Sequence, residues 1–269
     1  MKLRILKWVS AALRVNPYLL FYYQLGIFNY KNLEDSGEEF FIKSILKKLY
    51  KKGHNLVLFD VGGNKGDYSK ELAQVFPSSC IFCFEPNPDR KKDFEPISNV
   101  SHHALALSDQ NGETIFYADH QTDSQTLSSF YPEFISRYSE DISEIQVKVT
   151  TVDTFCDENG IQYIDFIKID TEGHELFVLR GSKSMLKKIG IIQFEFNTSN
   201  VYSRTFLKDF YDLLEDFSFY RLGRNCLIDI NLYFEHNEIF AYQNIIAVSK
   251  RITQSDLWNI NENRWVKRI

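Results

Sequence analysis

The stretch LVLFDVGGNKGDYSKEL, residues 56–72, constrains this chain more than any other. A short apolar run stops at an acid, Asp60, and glycines follow at positions 62, 63 and 66. Tyr68, Leu72, Val75 and Phe76 then recur at helical spacing until Pro77. An apolar run that short reads as a strand buried on both faces, which belongs in a mostly parallel sheet covered by helices. In such sheets ligands sit beyond the carboxyl ends of the strands. Glycine lets a ligand approach the backbone there, and the helix start offers unpaired N–H groups.

The same alternation continues along the chain. CIFCFEP (80–86) reads as a second buried strand and HHALALSD (102–109) as a third; YIDFIKID (163–170) and IIQFEFN (191–197) follow, then SFYRLG, CLIDI and NIIAVSK. Short buried strands alternating with helices predict an α/β, Rossmann-like, doubly wound and mostly parallel sheet, here of seven strands. ETIFYAD (113–119) and IQVKVTTVD (145–153) also read as strands, the second with one solvated face because apolar and polar residues alternate. Residues 120–144 between them read as a long functional loop carrying Phe130, Tyr131, Phe134 and Tyr138. In RTFLKDFYDLLEDF (204–217) a stripe of Phe206, Leu207, Phe210, Leu213, Leu214 and Phe217 predicts core packing. EEFFIKSILKKLYKKG (38–53) has the helical period and ends on glycine after lysines. No repeat or linker divides the chain. The expected organisation is an N-terminal helical extension, 1–53, before one domain, 54–269.

Composition narrows the partners. A net charge of −5 over 269 residues supplies no electrostatic reason to expect nucleic acid. Four cysteines form no disulfide framework, which fits a reducing, cytoplasmic setting. Cys80 and Cys83 have C-x-x-C spacing, but residues three apart on a strand face opposite ways and cannot share a metal. The first 28 residues hold no apolar run long enough to span a bilayer. Lys2, Arg4, Lys7 and Arg14 beside aromatic residues suit peripheral contact with an anionic membrane surface, and equally a helix packed on the domain.

The form of the glycine loop discriminates among nucleotide-like ligands. G-x-G-x-x-G requires glycine where Val61 stands, and no G-x-x-x-x-G-K-[ST] string occurs. What fits is acid-x-Gly-x-x-x-Gly, filled by Asp60, Gly62 and Gly66, an arrangement suited to S-adenosylmethionine (SAM), which carries no phosphate. Glu85 ends the second strand, where a carboxylate can accept bonds from both hydroxyls of a ribose. The turn PNP that follows fixes it at the strand tip.

FDVGGNKGDYS, FEPNP, ALSDQNGE, TVDTF and FIKIDTEGHELFVLRG stand in an order and spacing that resemble the FkbM-type methyltransferases, over roughly residues 38–197. The resemblance implies a class I SAM-dependent methyltransferase fold, with hydroxyl groups of sugars or related small molecules as acceptors. It places Asp60, Gly62, Gly63, Asn64, Gly66, Glu85 and Asn87 at the cofactor, and Ala106 and Leu107 near its adenine. Gly63 replaces the alanine more common in the family, a change expected to be tolerated.

Methyl transfer to oxygen needs the acceptor held in line with the departing sulfur, and a base for the hydroxyl proton. Asp170, Glu172, His174 and Glu195, from KIDTEGHE and FEFN, are the candidate catalytic residues. A metal is not expected, because nothing fixes three ligands on one side. The aromatic residues of 120–144 suit a lid over a sugar, with Ser128 and Ser129 to bond its hydroxyls. The leading expectation is a SAM-dependent O-methyltransferase acting on a sugar, glycolipid, polysaccharide or related small molecule. The alternatives are a nicotinamide-dependent oxidoreductase, and a non-catalytic glycan- or membrane-associated binding module.

Overall fold

The structure is a computed structural model and describes residues 16–50, 55–94, 96–119, 127–253 and 266–267. Residues 1–15 of the expected extension and 120–126 of the expected lid lie outside the described residues.

The main sheet is built from β1 (Val57–Val61), β2 (Cys80–Phe84), β3 (Val100–His103), β8 (Ile164–Ile169), β9 (Ile189–Phe196), β10 (Phe217–Gly223), β11 (Cys226–Asp229), β12 (Gln243–Ser249) and β13 (Val266–Lys267). Their order is β3-β2-β1-β8-β9-β12-β10-β11-β13. The first five are parallel, and β12 runs antiparallel between β9 and β10. The seven-stranded doubly wound sheet is therefore present, with β11 and β13 added beyond it. Strand order reverses between β1 and β8, and a crevice opens there at the carboxyl ends.

A second sheet, in the order β4-β7-β5-β6, comprises β4 (Ala106–Leu107), β5 (Gly112–Asp119), β6 (Ser128–Ser129) and β7 (Ile142–Thr150). This corrects two readings of the sequence. HHALALSD is not one strand: β3 ends at His103, and Ala106–Leu107 pairs with β7. Nor is 120–144 one long loop, since its described part contains β6, a helix at Pro132–Ile135 and the start of β7.

Alternation along the strands feeds two cores. Phe59 and Val61 of β1, with Ile192, Phe194 and Phe196 of β9, face a core shared with Phe155, Leu176, Leu179 and Phe210. Leu58, Phe166 and Ile191 face the opposite core. There they meet Tyr68 and Leu72 of the helix Asp67–Val75, and Phe41, Ile42 and Leu46 of a π-helical turn at Phe41–Leu46. Each fully buried side chain of this size contributes about 1.5–3 kcal/mol. The stripe on the helix Leu207–Leu213 packs as expected through Leu207, Phe210, Leu214 and Phe217, but Phe206, at the N-cap, is exposed. Among the described residues, no helix is long and apolar enough to cross a membrane.

Candidate active site

Register explains what lies under the glycine loop. Cys83, Asp60, Lys168 and Gln193 stand opposite one another on β2, β1, β8 and β9 and form a polar row across the sheet. Gln193 donates to Glu38 (2.7 Å) and accepts from the Tyr68 hydroxyl (2.8 Å). Lys168 pairs with Asp170 at 2.8 Å and lies 4.8 Å from the centre of the Tyr68 ring. Burial works against the Lys168 charge, but Asp170, Asp60 and Glu38 outweigh it and hold the ammonium protonated.

Asp60 is part of this row and not of the hollow above it. Its side chain is fully buried, accepts from Ser69 Oγ at 2.6 Å, and leaves Oδ1 without a partner. Burial raises its pKa, opposed chiefly by Lys168. The expectation that Asp60 and Glu85 face one cavity is corrected: Asp60 supports the loop from below. Gly63 is also structural. A Cβ there would lie 2.2 Å from Cys83 Sγ, so alanine requires a different packing of Cys83.

The loop itself is held by β2. Gly62 and Gly63 donate to the Phe84 carbonyl (2.9 and 3.0 Å), and Asn64 donates to Glu85 Oε2 (2.9 Å). Gly62 has φ 81°, and a Cβ on it would lie 1.7 Å from the Asp170 carbonyl oxygen. Only glycine meets both demands. Asn64, at φ 46°, completes the turn, and Gly66 caps the start of the helix Asp67–Val75. Glu85 also accepts from the backbone of Asn87 (2.9 Å), whose side chain caps Asp89. Burial raises Glu85 to about 7, against the pull of those N–H groups and of Arg90.

The hollow is lined by Gly62, Asn64, Glu85 and Arg90 on one side and by Asp170, Thr171 and Glu172 on another. Phe84, Leu105, Ala106 and Leu107 form an apolar wall, and Phe116 and Ser128 of the second sheet, with Leu127 and Phe130 flanking β6, close it. Its volume is about 110 Å3.

Beyond β8, carboxylates crowd together. Glu172 lines the hollow with a left-handed backbone, φ 51°, a strained conformation for a residue with a side chain. Asn197 Nδ2 donates to Glu172 Oε2 at 3.4 Å and also to Glu195 Oε1, bridging the two acids. Burial, then Asp170 and Glu175, raises Glu172 to about 8. Burial, then Asp170 and Glu172, holds Glu195 well above the usual carboxylate range. Glu175 shapes the turn by accepting from Thr171 N (2.9 Å), Thr171 Oγ1 (3.2 Å) and Gly173 N (3.1 Å).

His174 is not brought to the hollow. It lines an adjoining groove with Ser108, Asp109, Asn111, Tyr131 and Phe177, and Phe130 separates the two spaces. Nε2 meets Ser108 Oγ at 2.8 Å, Nδ1 meets the Tyr131 hydroxyl at 3.3 Å, and the ring stacks on Phe177. Burial lowers His174 to about 4, which keeps the ring neutral. As for a metal, the described residues contain no cluster of three or more His, Cys, Asp or Glu arranged to hold one.

Residues 60–224, more than half of the chain, match the model of the methyltransferase FkbM domain. The chain belongs to the FkbM methyltransferase family. Among curated proteins it is similar to the 2-O-methyltransferase NoeI of Sinorhizobium fredii, 29% identical over 174 residues, or 60% of this chain and 72% of that one. It is also similar to Methyltransferase 1 of Beauveria bassiana, 26% identical over 144 residues, or 46% of this chain and 57% of that one. A solved structure of the plantazolicin methyltransferase BpumL, crystallised with SAH, aligns with a TM-score of 0.44 at 10% identity over 82% of this chain and 87% of that one.

Two parts of this FkbM-family site escaped the sequence reading. Lys168 and Glu175 were both readable in KIDTEGHE, the first as a lone cation in a buried apolar strand two residues before Asp170. Arg90 and Glu38 carried no such signal, because only the tertiary fold brings them to Glu85 and Gln193.

Proposed function

We propose that the protein transfers the methyl group of SAM to a hydroxyl oxygen of a sugar or a related hydroxylated small molecule. The observation that carries this reading is the hollow at the β1–β8 reversal. It combines a backbone cradle at Gly62–Asn64, a strand-tip acid at Glu85, an apolar wall at Ala106–Leu107 and two further carboxylates at Asp170 and Glu172. These residues fit the cofactor's parts. Glu85 is placed to accept from ribose hydroxyls, Phe84, Leu105 and Leu107 to flank a purine, and the acids Asp170 and Glu172 to offset the positive sulfonium and ammonium groups. SAM supplies an electrophilic methyl: the C–S bond breaks as the new C–O bond forms, and the acceptor proton leaves to a base.

Glu172 is the base this reading favours. It borders the hollow, and its raised pKa of about 8 makes the ionised form a strong proton acceptor, a form that grows as pH rises toward 8. Asp170 is tied to Lys168 and serves the electrostatics. Asn197 positions Glu172 and Glu195. His174, with both ring nitrogens engaged, belongs to the groove, where the aromatic rings of Phe130, Tyr131 and Phe177 suit the face of a sugar. Oxygen as the acceptor atom is supported by the similarity to a 2-O-methyltransferase.

Isothermal titration with SAM tests the cofactor. Micromolar binding is expected, and a folded protein that gives no heat would end this reading. Transfer of labelled methyl from SAM to a panel of free and oligomeric sugars tests the acceptor class.

A further inference from the structure

The helix Pro17–Gln24, PYLLFYYQ, buries none of its residues. Tyr18 is 66% exposed and Phe21 51%, and Leu19, Leu20, Tyr23 and nearby Tyr30 are exposed as well. Scattered exposed apolar residues are ordinary, but a contiguous helix of them marks a contact surface. The helix is nevertheless fixed to the fold. Ile27, fully buried, bridges Gln243 at the start of β12, and Phe28 N donates to the Tyr242 carbonyl at 2.9 Å. Tyr22 packs edge-on against Phe28.

Charge identifies what this surface meets. The first 33 residues hold Lys2, Arg4, Lys7, Arg14 and Lys31 and no acid, so the chain's net −5 is +5 on this segment and −10 on everything after it. A cationic stretch of sequence that leads into a helix with Tyr, Phe and Leu exposed is complementary to an anionic bilayer surface. There aromatic rings settle at headgroup depth, and basic side chains are drawn to acidic lipids. A twofold pairing of two copies through this face offers less, since the positive segment would face itself.

Position adds the functional consequence. Gln243 stands opposite Phe196 and Asn244 opposite Glu195, so the helix is rooted at the carboxyl rim where the hollow opens. We propose that the helix Pro17–Gln24 docks on the surface of an anionic membrane and turns the active-site rim toward the headgroup layer. The orientation rests on the site reading above; the docking does not.

The test is co-sedimentation of the full chain with phosphatidylcholine vesicles, with and without phosphatidylglycerol. Binding is expected only with the anionic lipid, weakened about fivefold for each of Lys2, Arg4 and Lys7 changed to Gln, and reduced by high salt. Leu20→Asp with Phe21→Asp is expected to abolish it while the thermal transition and SAM titration stay unchanged. Absence of binding by folded wild-type protein overturns the proposal, as does binding that survives the double variant. Concentration-dependent dimerisation removed by the same double variant also overturns it, in favour of a self-association face. SAM binding measured on the same samples separates the two readings: heat without vesicle binding defeats the docking alone, and vesicle binding without heat defeats the methyltransferase reading alone.

Discussion

The two sides of the hollow are built on opposite principles. On the β1–β2 side the acids are bonded from within the fold: Glu85 accepts from two backbone N–H groups, and Asp60 accepts from Ser69. On the β8–β9 side Asp170, Glu172 and Glu195 crowd together, with Lys168 paired to Asp170 and the Asn197 amide joining the other two. The first side is a cradle of internal hydrogen bonds; on the second, crowding holds Glu172 and Glu195 toward the protonated form, and a bound cation would favour their ionised form. On the proposed reading, binding and chemistry are divided between neighbouring strands.

The strongest way to break this division is to strike the point where the sides touch. Gly62→Ala puts a methyl 1.7 Å from the Asp170 carbonyl oxygen, and a loss of at least about 3 kcal/mol is expected from denaturant unfolding. An unchanged midpoint would show that the loop is not clamped against β8. Lys168→Met leaves Asp60, Asp170 and Glu38 without their cation and is expected to cost about 3–5 kcal/mol. The cost should shrink as pH falls and the acids protonate; a deficit independent of pH would assign it to packing.

Glu172→Gln tests the chemical side. The turnover rate at saturating SAM is expected to fall ~10²–10⁴-fold, beyond any loss of SAM affinity, and the rise in rate toward pH 8 should disappear. A variant that keeps that limb sends the search for the base to Glu195. Glu85→Ala tests the cradle: SAM affinity should drop about 10–100-fold, the worth of hydrogen bonds to a charged group, with little change in turnover at saturation. A fall in turnover alone would exchange the roles of the two sides.

The smallest effect concerns pH and stability. Glu85 and Glu175, near 7, and Glu172, near 8, keep their protons in the fold well above the ordinary value of 4.5. Between about 4.5 and 8 the native state binds more protons than the unfolded chain, so stability should decline as pH rises through that window. A urea midpoint higher at pH 8 than at pH 6 would contradict the raised values. Cationic SAM should reverse the trend and release protons on binding, which calorimetry in buffers of different ionisation enthalpy detects.

The cradle was legible because it is local. Acid, glycines and helix follow one another within residues 56–72, and Glu85 declares itself at a strand end by the turn after it. The crowded side was only half legible. KIDTEGHE showed acids near a strand tip, but spacing could not say that Glu172 would turn toward the hollow and His174, two residues on, toward the groove. Between them the backbone is left-handed at Glu172 and has positive φ at Gly173, a turn that the spacing of KIDTEGHE does not announce. HHALALSD misled because one apolar run serves two sheets, with the break at Ala104–Leu105 unmarked by glycine or proline. A strand-end acid before the glycines suits the charged amino-acid portion of SAM, but the side chain of Asp60 is buried on Ser69 in the row it shares with Lys168.

Phe130 is a party wall, one ring with a chamber on each side. A guest seated in the hollow pushes against the same surface on which a sugar in the groove would lie. A shift of that one ring would therefore reshape both spaces at once.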